Sequence, residues 1–320
     1  MPVPVRATTR TGRGRLLVFA GASALLTLLL LGHTAVPDIG GLGVALDTAA
    51  PWLVVLVPLL ALIAFLCRSP AGAATTLIPL LVWAYSFGAW WAPVHGASGP
   101  AAADGVRIVS QNLFAANESP AATGRALVAT DADIIAVEEL GGADRAAVTR
   151  ILDTAYPYRE EIGTVALWSR YPTSDTTAAD VGVGWKRGLR THIATPAGDL
   201  VVYVVHLPSV RPGDTDARNR GLATLSGRLT AERAEHVVVA GDFNTASTDR
   251  HWDGFAPGYR HALSDAGSGP GFTWPAVFPV ARLDHILVRG ADIATASVLR
   301  LPGPDHCAVQ ATLALGSKPR

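Results

Sequence analysis

The chain has 320 residues, room for two domains or for one domain with a membrane module. Its 26 basic and 26 acidic side chains cancel, so bulk charge argues neither for nor against a nucleic-acid partner, while the positive mean hydropathy is unusual for a soluble enzyme. The cysteines, Cys67 and Cys307, lie in regions of opposite character, which excludes a disulfide-stapled scaffold.

Residues 16–36, 49–67 and 75–91 read as three transmembrane helices. Each is nearly free of charge and close to the ~20 residues that cross a bilayer core. Pro58 and Pro79 fall inside spans, where neighbouring helices re-satisfy freed backbone groups, and Trp83, Trp90 and Trp91 suit an interface. A cleaved signal peptide would explain only the first span. Arg6, Arg10, Arg13 and Arg15 precede that span and Arg68 follows the second, whereas the loop between the first two spans has Asp38 and Asp47 but no basic residue. Positive-inside bias then places the N-terminus in the cytoplasm and everything after Trp91 outside, in a multi-pass protein of the cell membrane. Residues 1–92 are thus a membrane module, residues 93–105 a Gly/Ala/Pro-rich linker, and residues 106–315 a catalytic domain held near lipid headgroups.

Within that domain short β-branched runs alternate with helical patterns. Strands are expected at 107–111, 134–137, 165–168, 200–206, 237–240, 285–288 and 309–313, and helices at 121–129, 143–155 and 216–233. Polar residues fall at the strand ends: Asn112, Glu139, His206, Asp242 and the pair Asp305 and His306. Strand ends on a buried sheet are where an α/β protein places a site.

Gly241-Asp242-Phe243-Asn244 leaves an apolar strand. It reads either as an Asx turn or as an acid and an amide able to hold a phosphate oxygen and an attacking water. Asp284 in Arg282-Leu283-Asp284-His285, His206, and Asp305-His306 supply histidines with carboxylates, which fix a tautomer and stabilise its protonated form. Glu138 and Glu139 suit either a solvated strand exit or, with Asn112, a hard cation that prefers oxygen. No clustered Cys/His spacing suggests zinc, and no GxxxxGK[ST], GxGxxG or GxSxG motif occurs. Lys186, Arg187 and Arg190 form a basic group in what reads as a loop, with Arg211, Arg218 and Arg220 flanking another. Either group suits a phosphate, an anionic headgroup or plain solvent. Trp252 and Trp274 suit packing first and a pocket wall second.

Taken in order, the blocks Ser110-Gln111-Asn112, Asp133–Glu139, Leu167–Pro172, Val205-His206-Leu207, Gly241–Asn244, Arg282–Ile286 and Asp305-His306 resemble those of the endonuclease/exonuclease/phosphatase superfamily across residues 106–315. With three spans in front, the chain looks like its actinobacterial membrane-anchored subgroup, the vancomycin-resistance J type. The resemblance implies a four-layer α/β sandwich of two packed mixed sheets flanked by helices. It also implies hydrolysis of phosphoric esters or pyrophosphates assisted by Mg²⁺, with Mn²⁺ a substitute. It would make Asn112 and Glu139 metal ligands with Asp305 beside the metal, Asp242 the residue that orients or deprotonates water, and Asn244 a phosphate contact. His206 would meet the phosphate and protonate the leaving group, and His306, oriented by Asp284, would be base or charge stabiliser. Two departures stand out: Pro304 where serine is usual, and Glu138 where glutamine is usual. An extra carboxylate at Glu138 would tighten metal binding or face solvent. A phosphorylated lipid or lipid-linked envelope intermediate is the expected substrate, with a role in antibiotic tolerance. An extracellular nuclease and a silent binding module are the rivals, nucleic acid ranking lower because no basic surplus exists.

Overall fold

The computed structural model describes residues 8–91, 105–142, 144–211 and 213–316, and the chain divides into two compact units, Met1–Trp91 and Ala92–Arg320. The expected linker falls, up to Asp104, outside the described residues.

The first unit holds three helical stretches long and apolar enough to cross a membrane, Gly12–Ala35, Leu42–Leu66 and Pro70–Trp91. Leu26, Leu30, Ala50, Val57 and Phe87 pack where they meet, and Trp83 donates its indole N–H to the Pro51 carbonyl. The second stretch begins seven residues before the expected 49 because Asp47 lies inside it. Asp47 is fully buried and sits 2.9 Å from His33 Nδ1, and that partner removes the penalty that made the aspartate look like a boundary.

The second unit is a four-layer α/β sandwich. One mixed sheet contains β1 (Val106–Asn112), β2 (Ile134–Glu138), β3 (Tyr158–Ile162), β4 (Val165–Ser169), β11 (Asp292–Leu299) and β12 (Ala308–Ala314), in the order β11-β12-β1-β2-β4-β3. The other contains β5 (Thr173–Ala178), β6 (Gly188–Thr195), β7 (Gly198–His206), β8 (Val237–Asp242), β9 (Arg260–His261) and β10 (Asp284–Arg289), in the order β5-β6-β7-β8-β10-β9. Alternation sorts the side chains. Ile108, Ile134, Val202, Val204, Val238 and Ile286 fill the space between the sheets. Val109, Ile135 and Val137 turn outward under helices Pro120–Ala129 and Asp144–Ala155, while Val201, Val205 and Val239 turn outward under helix Asp216–Ala231. Both faces of the central strands are therefore covered, so β2 and β8 read as unbroken apolar runs.

The topology gathers the site at one end. β1 and β2 run parallel, as do β7 and β8, while β10 and β12 run antiparallel to their neighbours. The C-terminal ends of the four parallel strands and the N-terminal ends of β10 and β12 thus share one edge of the sandwich. In register, Asn112 faces Glu138, His206 faces Asp242, and Asp242 faces Asp284.

Candidate active site

Gly241 shows why the turn out of β8 is written as it is. Its φ is +150°, and a Cβ there would lie 1.8 Å from the Val205 carbonyl oxygen on β7. Only glycine lets β8 approach β7 so closely. The next residue then points into the site: Asp242 accepts the Asn244 backbone N–H at 2.8 Å and the Asn112 amide at 3.0 Å. Asn244 (φ 46°) donates its amide to the Leu207 carbonyl at 2.9 Å and to Asp242 Oδ2 at 3.1 Å. The segment is an Asx turn, and that turn is what aims the acid and the amide.

Glu139 has φ 57°, a left-handed conformation that costs a non-glycine residue of order 1 kcal/mol. The kink carries the carboxylate off the end of β2 to accept the Ala115 N–H at 2.9 Å and the Asn112 amide at 3.2 Å. Asn112 Nδ2 thus lies between Glu139 and Asp242, with its own oxygen accepting the Phe114 N–H. His206 Nε2 is 3.7 Å from Glu139 and 3.6 Å from Asp242. His306 Nε2 is 4.0 Å from Asp242, and its Nδ1 is 2.8 Å from Asp284. Residues from six strand ends meet in one cluster.

The electrostatics separate the two histidines. Burial, reinforced by the Arg187 guanidinium, holds His206 well below the ordinary histidine range, so its ring is neutral. Burial also opposes charge on His306, but Asp284, Asp242 and Asp305 outweigh it and lift the ring to about 10. Burial and the neighbouring Asp284 carboxylate raise Asp242 to about 7.

Glu138 corrects both expectations for it. It neither faces solvent nor joins the cation-seeking carboxylates: it is fully buried and accepts the Ser110 hydroxyl at 3.0 Å. Burial, with Asp284 and Asp242 nearby, pushes its carboxyl well above the ordinary glutamate range, which favours the neutral acid in the place of an amide.

Of the basic trio, Arg187 reaches the cluster, with Nη2 at 2.6 Å from His206 Nε2. Arg190 does not: the expected loop is strand β6, and Arg190 pairs with Glu232 at 2.7 Å over the Tyr203 ring. Lys186 is exposed. Arg218, expected at a surface, is fully buried against Asp249. Trp252 belongs to the core, stacked on Phe255 and tilted against His285, whereas Trp274 is part-exposed with its ring 6.5 Å from His306.

Three contributors had been given no role. Gln111 donates to the His306 carbonyl, Thr273 accepts the Leu283 and Asp284 N–H groups, and Trp185 stacks on Arg187 at 4.5 Å. Gln111, inside the block Ser110-Gln111-Asn112, and Trp185, adjacent to Lys186-Arg187, left a sequence signal; Thr273 left none.

The donor set fits a divalent cation. Glu139, Asp242, Asp284 and Asp305 converge with fewer positive groups among them, and Asp305 Oδ1 is buried without a hydrogen-bond partner among the described residues. Asp242, Asp284 and His306 bring ligand atoms within 4.8 Å of one another. Because Asp284 is already committed to His306 Nδ1, Glu139, with the unpartnered Asp305 Oδ1 near it, suits a cation better than that trio.

The sequence model of the Endonuclease/Exonuclease/phosphatase family matches residues 109–306. An uncharacterized protein of Escherichia coli (strain K12), YbhP, is 32% identical over 154 residues, 46% of this chain and 60% of the relative's length, so the match spans less than two thirds of it. Among solved structures, D. rerio TDP2 complexed with single strand DNA product superposes with a TM-score of 0.56 at 17% identity, covering 65% of this chain and 98% of that one. A beta toxin from Staphylococcus aureus gives 0.51 at 13% identity, covering 64% and 99%. At these identities the structural likeness is one of fold. The family match, however, runs from β1 to His306 and takes in every strand end that feeds the cluster: the chain belongs to the endonuclease/exonuclease/phosphatase family.

Proposed function

We propose that this protein is a membrane-anchored, Mg²⁺-dependent phosphohydrolase whose catalytic unit lies outside the cytoplasmic membrane. Its substrate in this reading is a phosphorylated lipid or lipid-linked cell-envelope intermediate, such as a lipid pyrophosphate. The observation that carries the hydrolase reading is the convergence of Asn112, Glu139, His206, Asp242, Asn244, Asp284 and His306 at one sandwich edge. The lipid is supported by the three apolar stretches in the same chain, which would confine the site near headgroups and raise their effective concentration. A role in antibiotic tolerance rests on the subgroup resemblance alone.

In this mechanism Asn112 and Glu139, with Asp305 beside them, would hold the cation through oxygen, the Asn112 amide turning its oxygen toward Glu139 to do so, and the cation would neutralise phosphate charge. Asp242, its proton affinity raised toward neutrality, is suited to take a proton from the attacking water. Asn244 holds Asp242 in place, its amide hydrogens given to Asp242 and the Leu207 carbonyl, and would meet a phosphate oxygen by exchanging one of those bonds. His306, kept charged by Asp284, stabilises the developing negative charge; that favours the charge-stabiliser over the base among its two expected roles. His206, kept neutral, contacts the phosphate as a hydrogen-bond donor and is poorly suited to supply the leaving group's proton. Arg187, pressed against it, brings the permanent charge.

The test is a substrate screen on the purified full chain, with Mg²⁺ omitted and restored, against lipid pyrophosphates, phospholipids and single-stranded DNA. Turnover of a lipid phosphate only with metal present is expected. Preference for DNA over every lipid would favour an anchored nuclease, a reading that exposed Trp185 beside Arg187 supports as a base-stacking platform. Asp242→Ala and His306→Ala should each abolish turnover without unfolding the protein, and unchanged turnover would remove the mechanism.

A further inference from the structure

Among the described residues of the second unit, the large apolar side chains that stand exposed are Tyr158, Trp185, Trp274, Val277 and Phe278. Four of these five lie on two segments that touch the catalytic cluster. Trp185, 55% exposed, stacks on Arg187, which bonds His206. Trp274 lies beside His306 and opens the segment Trp274–Ala281, which has no charged residue and carries Val277 (83% exposed) and Phe278 (67%) at its tip. A monomeric soluble protein seldom leaves such a group contiguous with its active site without a use for it.

The segment is built as a firm projection. A bridge between Trp274 and Ala281 closes its base, Val280 donates to the Trp274 carbonyl at 2.8 Å, and Phe278 donates to the Pro275 carbonyl at 3.0 Å. Ala276 donates to the Asp305 carbonyl at 2.6 Å, and the Trp274 side chain bonds the Asp305 carboxylate, so the projection is pinned to the residue next to His306. Arg300 reaches the Val277 carbonyl from the side, placing a cation just behind the apolar tip.

We propose that Trp185, Trp274, Val277 and Phe278 form a rim that docks the active site onto a lipid bilayer, the tip entering the interface and the tryptophans lying at headgroup level. It rests on the membrane-anchored reading above. Two observations select lipid over another occupant. From Trp91, the end of the last apolar stretch, to Val106 of β1 the chain can reach roughly 50 Å at ~3.3–3.6 Å per residue, about twice the ~20 Å run of β1 from that attachment to the site edge, so the covalent tether leaves a bilayer surface within range of the rim. The rim's chemistry is also interfacial: apolar at the tip, indole at its shoulders, with Arg300 set back where anionic headgroups would lie. The tip segment Trp274–Ala281 has no cation of its own, whereas a nucleic-acid groove would place cations among its stacking rings along the whole contact, as the rim does only at Trp185. A docked rim aims the mouth of the site at phosphates in the membrane plane.

The experiment uses the full chain reconstituted in vesicles of phosphatidylcholine and phosphatidylglycerol. Single cysteines are placed by Val277→Cys, Phe278→Cys or, as a reference, Thr154→Cys on an exposed helix face. Each is made on a Cys67→Ser background, Cys307 being buried, and carries an environment-sensitive dye. Lipids bearing a nitroxide just below the headgroup should quench the dye at 277 and 278 at least threefold more than at 154. In parallel, Val277→Ser/Phe278→Ser should raise the apparent KM for a vesicle-embedded substrate about tenfold, as expected for two lost apolar insertions, and leave kcat unchanged. Equal quenching at all three positions, or protection of the 277 dye by single-stranded DNA and not by lipid, would overturn the proposal. Because quenching needs no turnover, quenching at 277 and 278 in a protein that hydrolyses no lipid phosphate would uphold the rim and reject only the substrate reading.

Discussion

Arg218 and Asp249 form an ion pair at 2.6 Å in which both side chains are wholly shielded from solvent. The guanidinium also donates to Thr245 Oγ1 at 3.1 Å, and Thr245 in turn donates to the Phe243 carbonyl, so the pair braces the chain just beyond Asp242 and Asn244. Arg218 Nε and Nη2 find no acceptor among the described residues, which leaves the buried charge incompletely compensated. Arg218→Met should therefore strand Asp249 and cost about 3–5 kcal/mol. At about 2–4 °C per kcal/mol for a unit of this size, melting falls by about 6–20 °C. Adding Asp249→Leu removes the stranded charge, and the double variant should recover most of that loss. What stays lost is about 1 kcal/mol for the bond that Asp249 accepts from the His251 N–H. The assay is a double-mutant cycle on thermal unfolding of the full chain, with KM measured below the transition. A phosphate-gripping arginine would do the opposite, raising KM and sparing stability. An Arg218→Met protein that melts within about 2 °C of the wild type, or single losses that simply add, would refute the bracing argument.

Gly241→Ala should cost at least about 3 kcal/mol, since its Cβ would collide with the Val205 carbonyl at a φ that alanine resists; a melting loss under 2 °C would contradict that contact. Glu138→Gln should hold kcat within about threefold and stability within about 1 kcal/mol, because a neutral amide can accept the Ser110 hydroxyl as the neutral acid does; a hundredfold fall in kcat would show that the carboxylate is ionised and used. Glu232 is held at about 2, first by its bond from Arg190 and then by Ala234 N–H and Tyr203 OH, so its stabilisation is complete above its unfolded value near 4.5 and drains away as pH falls toward 2. Glu232→Gln should accordingly melt below the wild type at pH 7, with the gap narrowing between pH 5 and pH 3, and a gap that widens on acidification would reverse the sign assigned to this group.

The parts of this molecule that could be read from sequence are those fixed by burial on two faces. β1, β2, β4, β7, β8, β10 and β12 are nearly continuous apolar runs because helices or the opposite sheet cover both of their surfaces, and each was expected within a residue or two. The strands that escaped notice are β3, β5, β6, β9 and β11, and all of them except β6 are sheet edges. β3 and β5 are polar edges, Tyr-Arg-Glu-Glu-Ile and Thr-Ser-Asp-Thr-Thr-Ala, formed by pairing with a neighbour and not by any apolar pattern of their own. β6 hid behind Gly184 and the basic cluster, and that error carried Arg190 into a site it does not reach.

The same division runs through the site. Residues whose position follows from a strand end could be named in advance, since the parallel and antiparallel order of β1, β2, β7, β8, β10 and β12 forces their ends to one edge. Protonation could not be named in advance, because it depends on neighbours far away in sequence. His206 and His306 are the same residue type at equivalent edges, yet one is neutral beneath Arg187 and the other charged against Asp284. Glu138 and Glu139 are adjacent, yet a left-handed turn at Glu139 sends one into the cluster while the other stays in the sheet as a neutral acid. The chemistry of this edge is therefore set less by which ionisable residues the sequence supplies than by which partner each one meets, and exchanging partners, as Arg218 and Asp249 allow, is the direct way to test it.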